Sequence, residues 1–238
     1  MKRVKNKIIT LCIGAAIAVS SLATPAFAST EDTLDGQVTV FHQGDVGDCG
    51  AVSAIQALDN SRFGKEFVMK LIKTNKDGSY TVKFKTGKIK VTKQDVENAY
   101  ITGDLDARVI EAALQKAMNV YNSCFACDVF EKMTGFKQEL VSGVEGRTKL
   151  LNQMAAKCYS YEGVTAACDF NIADDSKGII GDGGHSYSIR SVINDYVWVI
   201  NPWDTSNLIL LPRSQFENSI RYMTYVDTDA KKVKVYWN

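Results

Sequence analysis

The sequence predicts an α+β fold, helical in its first part and rich in strands in its last. Three observations carry this. Apolar residues recur at helical spacing over 49–58 and 106–121. From about residue 163 the pattern changes to short apolar and alternating runs separated by Gly, Asn and Asp. The composition, 45% hydrophobic and 23% charged with 17 Gly and only 3 Pro, excludes a disordered, collagen-like or low-complexity chain. Helices followed by strands, rather than alternating with them, argue for segregated helical and sheet parts.

The first 28 residues stand apart. Lys2, Arg3, Lys5 and Lys7 form a basic head, and a mainly apolar run follows from Ile8 to about Ala23. Pro25-Ala26-Phe27-Ala28 then offers a small-x-small cleavage end. Together these read as a secretory signal peptide, which is set aside from the fold. An uncleaved anchor is the alternative, but the run is short of about 20 apolar residues and contains Thr10, Ser20 and Ser21. The expected mature protein, 29–238, is secreted or extracytoplasmic and forms a single domain. Lys+Arg total 28 against 27 Asp+Glu, and the leader removes four of the basic residues. So even a balance gives no reason to expect a nucleic-acid partner, and no later run is long enough to span a bilayer. A monomer without a membrane partner is expected after signal cleavage.

Residues 29–40 are polar and read as loose or extended. Gly44-Asp45-Val46-Gly47-Asp48 is a turn that feeds a helix over Cys49–Leu58, whose inner face is Ala51, Ala54, Ile55 and Leu58. Short strands are expected at 67–73, 80–85 and 88–91, with turns at 76–79 and 86–87. Val109, Ile110, Ala113, Leu114, Ala117 and Val120 define an amphipathic helix over 106–121, and Leu150, Leu151 and Met154 mark another over 147–157. Strands then follow at 163–170, 184–192, 196–201, 208–211, 222–226 and 232–237.

Five cysteines remain after the leader: Cys49, Cys124, Cys127, Cys158 and Cys168. An odd count leaves at least one thiol unpaired in a secreted chain. For the last four, reduced core residues, disulfides and a zinc site that gathers Cys158 and Cys168 onto the Cys124/Cys127 pair all stay open. Asp174, Asp175 and Asp182 are read as solvated loop acids rather than calcium ligands, and no metal or cofactor is expected.

Only two histidines, His42 and His185, are available as general bases near neutral pH. His185 follows Gly183-Gly184 at the head of a predicted strand. Cys49 stands at a predicted helix N-terminus, where unpaired N–H groups and the helix dipole favour a thiolate. Asp48 opposes that effect slightly. A small core residue on an Ala-rich helix is the alternative reading of Cys49. Asn201 ends an apolar strand ahead of Pro202-Trp203-Asp204 and is either a turn residue or the partner that orients an imidazole.

Gln43-Gly-Asp-Val-Gly-Asp-Cys49 resembles the Gln-Gly-x-Leu-Gly-Asp-Cys motif of the calpain-like cysteine proteases, a branch of the papain-like fold. Gly184-His185-Ser-Tyr-Ser-Ile189 is similar to that family's Gly-His-Ala-Tyr-Ser-Val, and Asn201-Pro202-Trp203 to its Asn-Pro-Trp. The segments IEAALQKAMNVY (110–121) and FEKMTG (130–135) add to the likeness, which spans about residues 41–227.

The resemblance implies a two-lobed papain-like fold, with a helical lobe at about 41–160 bearing Cys49 and a β lobe at about 161–238 bearing His185 and Asn201. It implies a secreted endopeptidase acting on protein or peptide substrates. In it Cys49 is the nucleophile, His185 the general base and acid, Asn201 the orienting residue and Gln43 an oxyanion donor alongside the Cys49 N–H. Trp203 shields the His–Asn bond, and the Gly184 carbonyl binds the substrate backbone. Two positions depart from the pattern. Gly50 stands where the family usually has Trp, which implies an enlarged or altered cleft, and Asp204 stands where it usually has Gly. Deamidation or transamidation on the same scaffold, or a non-catalytic binding protein, are the competing expectations.

Overall fold

The structure is a computed structural model and describes residues 33–157, 163–168 and 184–237. The expected signal peptide (1–28), Cys158 and the acids Asp174, Asp175 and Asp182 lie outside the described residues.

The chain is α+β. A short strand β1 (Phe41–His42) leads to helix α1 (Cys49–Asp59), which is buried along its whole length from Gly50 to Leu58. A helix of Ala, Val, Ser and Ile tolerates this because its small side chains let neighbours approach from every side. Helix α2 (Arg62–Val68) follows, started by Ser61, whose hydroxyl accepts the Gly64 N–H. The expected strand over 67–73 is therefore corrected: the Ser61 cap draws its first residues into α2, and only β2 (Ile72–Thr74) is extended. β2 joins β3 (Tyr80–Phe84) and β4 (Gly87–Val91) in an antiparallel three-stranded sheet, as the turns at 76–79 and 86–87 suggested.

Helix α3 (Lys93–Glu97) opens with a capping box between Thr92 and Asp95. Strand β5 (Thr102–Gly103) pairs with β1. Helix α4 (Leu105–Ala117) is capped by Asp104, which accepts the Ala107 N–H. It is shorter than expected. Met118 turns extended, leaving Val120 exposed and bringing the Tyr121 hydroxyl back to Glu111 at 3.0 Å.

Helix α5 (Ala126–Thr134), strand β6 (Lys137–Ser142) and helix α6 (Val144–Lys157) complete the first half. Strands β7 (Val164–Cys168), β8 (His185–Ile193), β9 (Tyr196–Asn201) and β10 (Asp204–Pro212) follow, then helix α7 (Arg213–Ser219) and strands β11 (Ile220–Asp227) and β12 (Lys232–Trp237). They form a seven-stranded sheet in the order β10-β9-β8-β7-β11-β12-β6. Its pairs are antiparallel except β12–β6, which are parallel.

Buried apolar side chains form two clusters. One joins α1, α4, α5 and the three-stranded sheet to Tyr222, Val226, Val233 and Val235 of the large sheet. The other packs Leu150, Leu151 and Met154 of α6 and Phe216 of α7 against Tyr187, Ile189, Val197, Val199, Ile209 and Met223. Helix α1 crosses β8 and β7, so its N-terminus comes to the start of β8. That crossing positions the site.

Candidate active site

Cys49 begins α1 and is partly accessible, with a free thiol. The first helical bonds run from the Ala51 and Val52 N–H groups to the Asp48 carbonyl at 2.9 and 3.0 Å, so the N–H groups of Cys49 and Gly50 are outside the helical ladder. One turn further on, Ser53 Oγ lies 2.7 Å from Ser186 Oγ, tying α1 to β8 beside His185. The Ser186 backbone N–H points at the Cys49 sulfur.

His185 is buried at the head of β8. Its Nε2 is 2.9 Å from Asn201 Oδ1, and the same oxygen accepts the Trp203 backbone N–H at 3.0 Å. An atom that accepts from a backbone N–H is an oxygen, so Nε2 must be the protonated ring nitrogen. In the neutral imidazole Nδ1 is then the basic one. The ring is held edge-on by Tyr187, with centroids 4.9 Å apart, and Trp203 stacks parallel to it at 6.4 Å and 13°. Trp203 thus covers the His185–Asn201 pair, although it does not line the cleft at Cys49.

The 41–43 segment is fastened to the loop after Asn201. The Gln43 N–H donates to the Pro202 carbonyl at 2.8 Å, and Thr205 Oγ1 bridges the Phe41 N–H and carbonyl at 3.0 and 2.6 Å. Gln43 is buried and gives one amide N–H to the Val46 carbonyl at 2.8 Å. The second histidine, His42, is half-exposed. Its Nδ1 is 3.2 Å from the Trp203 carbonyl and 4.0 Å from the Asp204 carboxylate.

One electrostatic expectation is corrected. The Cys49 thiol lies above its ordinary value rather than below it. Burial raises it more than the Ser186 N–H and the helix-start N–H groups lower it, and Asp48 adds to the rise. Asp48 is fully buried, and burial followed by the nearby Glu111 pushes its carboxyl up to about 7, although a hydrogen bond from the Gln43 side chain favours its charged form. Below that pH Asp48 is neutral and the positive end of α1 is unopposed. Glu111 is itself buried and raised, although it accepts the Ile101 N–H and the Tyr121 hydroxyl at 3.0 Å each.

Gly50 does not open the cleft. A Cβ there would sit 2.1 Å from the Cys124 carbonyl oxygen. The 123–125 segment occupies that space, pinned also by the Ser123 N–H donating to the Gly47 carbonyl. Cys124 and Cys127 are buried free thiols, pushed up to about 12 by burial. The side chains of Cys158 and Cys168 lie outside the described ones.

A cleft of about 470 Å³ opens at Cys49, lined by Gly47, Gly50, Ser123–Phe125, Gly184, Ser186, Arg221, Tyr222 and Trp237. The structure therefore brings Cys49 and Gly184 to one cleft, with His185, Asn201 and Trp203 joined beside it. The sequence reading did not identify Phe125, Arg221, Tyr222 or Trp237 as part of it. The pairing of β11 and β12 brings Arg221, Tyr222 and Trp237 there and the start of α5 brings Phe125, with no local motif to mark them. No protein-family model matches the chain, and a search of the curated proteins finds no match.

Proposed function

We propose that this protein is a secreted cysteine endopeptidase of the calpain-like type, with the two-lobed papain-like arrangement. The single observation that carries the reading is the His185–Asn201 pair, at 2.9 Å under Trp203, standing next to the Ser186 N–H that faces the Cys49 sulfur.

In this reading His185 Nδ1 takes the Cys49 thiol proton. Because burial holds the thiol neutral on its own, ionisation is coupled to protonation of the imidazole, whose positive charge Asn201 Oδ1 then faces. The thiolate attacks the scissile carbonyl carbon. The C–S bond forms as the carbonyl electron pair moves to oxygen. That oxyanion takes the Cys49 backbone N–H, and Gln43 joins it by giving up one of its amide bonds, to the Val46 carbonyl or to Asp48. His185 returns its proton to the amine, the C–N bond breaks, and the acyl group stays on Cys49. Water, deprotonated by the same Nδ1, releases the acid and restores the thiol.

Cys49→Ala tests this on an unfolded protein substrate under reducing conditions, with peptide-epoxide labelling and peptide mapping alongside. Wild-type protein is expected to cleave and to be labelled at Cys49, and the variant to do neither. Cleavage retained by the variant, or labelling elsewhere, rules the reading out.

A further inference from the structure

The even overall charge conceals a segregated one. Residues 62–93 carry ten of the 28 Lys+Arg but only two of the 27 Asp+Glu, Glu66 and Asp77. All ten cations are exposed, on and around α2 and the β2–β4 sheet. In that sheet Ile72, Val82 and Ile89 stand in register and pack on the core. Lys73, Thr81 and Lys90, also in register, and the pair Lys83–Lys88 therefore face outward. Lys90 is paired with Asp77 at 2.8 Å, whereas Lys73, Lys83 and Lys88 have no ion pair among the described residues. Lys83 and Lys88 are direct cross-strand neighbours, and like charges so placed repel. The free protein bears that cost, and an acidic partner relieves it.

Where α2 meets this sheet, a groove of about 510 Å³ opens. Its floor is apolar. Leu71 and Phe84 are buried, and Phe63 and Phe67 are half-buried rings stacked parallel at 6.0 Å. Lys70, Lys83 and Lys85 stand exposed at its edge, with Glu66 as the one acid. Through Lys83 the groove runs onto the outward lysine face. It shares no residue with the cleft at Cys49.

The kind of cation and the depth of the rings select the occupant. A lysine ammonium is a point charge on a flexible stem, so a cluster of them reads acidity rather than one fixed geometry. The apolar groups lie below the lysines, where a side chain of a polypeptide laid across the groove can reach them. A bilayer surface calls for apolar groups that protrude, and a single-stranded nucleic acid for exposed rings on which bases stack.

We propose that the groove and the lysine face form a docking site for an acidic segment of a partner protein. Its Asp and Glu side chains lie on Lys70, Lys83, Lys85 and Lys88, and an apolar side chain covers Phe63 and Phe67. The site does not depend on the chemistry at Cys49.

The test is fluorescence anisotropy with Cys49→Ala protein, so turnover does not enter it. The probes are end-blocked, labelled peptides: a Glu-rich peptide with a central Phe, its counterpart with Gln for every Glu, and its counterpart with Ala for Phe. The first should bind about 10-fold more tightly than either of the others, as several exposed charge pairs and one covered ring would give. Its advantage over the Gln peptide should shrink at high salt. Lys83→Glu should weaken the Glu-rich peptide about 10-fold, while Lys149→Glu, on α6, should leave it unchanged. Because Lys83→Glu sets an acid opposite Lys88, its urea midpoint should be unchanged or raised, which separates lost binding from lost folding. Equal binding of the three peptides, no binding of any, or equal weakening by Lys149→Glu overturns the proposal. So does binding of phosphatidylglycerol vesicles or of an oligonucleotide without binding of the Glu-rich peptide.

Discussion

Asp48→Asn should flatten the pH dependence of stability. Asp48 is wholly buried, and burial together with Glu111 moves its carboxyl from 3.8 to about 7 even though the Gln43 side chain favours its charged form. In the unfolded chain it ionises near its ordinary value. Between about pH 4 and pH 7 the folded protein therefore holds a proton that the unfolded chain has released. Stability falls as pH rises through that window and levels off above it. At 1.36 kcal/mol per pH unit the displacement corresponds to about 4 kcal/mol. Water entry and local relaxation around a buried charge reduce this, so we expect about 2–4 kcal/mol. Asn carries no charge and loses the pH-dependent share.

The assay is urea unfolding of both proteins at pH 4 and pH 8. Burial also pushes Asp59 and Asp106 up to about 6, which tilts both profiles the same way, so the quantity to read is the difference between wild type and variant. On going from pH 4 to pH 8 the variant should gain about 2–4 kcal/mol relative to wild type. Parallel profiles would mean that Asp48 is paired or solvated, contrary to its burial. A second readout is chemical: the Asp48 charge raises the Cys49 thiol, so alkylation of Cys49 in Asp48→Asn should set in at lower pH than in wild type.

Further outcomes can be checked. Asn201→Ala removes the acceptor for His185 Nε2 and the Trp203 N–H, and should lower kcat about 10- to 100-fold in steady-state assays while Cys49 stays labelled. Gly50→Ala brings a Cβ to 2.1 Å from the Cys124 carbonyl. Overpacking of about 1–3 kcal/mol should exceed the helix gain of about 1 kcal/mol, so its urea midpoint should fall; a rise would contradict the close approach. Thr224→Val removes a buried hydroxyl that has no hydrogen-bond partner and keeps the shape, so it should raise stability by about 1 kcal/mol, measured by calorimetry.

What was legible in the sequence was what local pattern encodes. The Ala-rich spacing over 49–58 announces α1, and the Lys76–Ser79 and Thr86-Gly87 turns announce the β2–β4 sheet. Of the side chains in the order Gln43, Cys49, His185, Asn201, the structure joins His185 to Asn201 and sets Cys49 beside Ser186. What was not legible depends on partners far along the chain. β6, with Leu140 exposed, has little strand signal of its own and is extended because β12 pairs with it. The start of the 67–73 segment, Phe67-Val68-Met69, is an apolar run like a buried strand's, and the cap at Ser61 outweighs that pattern. Asp48 looks like any loop acid until Glu111 and Gln43 close around it. Arg221 is the extra residue of a bulge only in the register between β11 and β7, where Ile220 pairs with Cys168 and Tyr222 with Ala167.

The position of β12 in the sheet bears on when the cleft can exist. This strand lies between β11 and β6, and its Trp237 supplies a wall of the cleft whose floor was laid down at Cys49. Such a pairing must wait until residues 232–237 have been made, because β12 cannot enter before it has been synthesised. A nascent polypeptide therefore holds the sulfur and the imidazole before it holds the wall of the groove beside them.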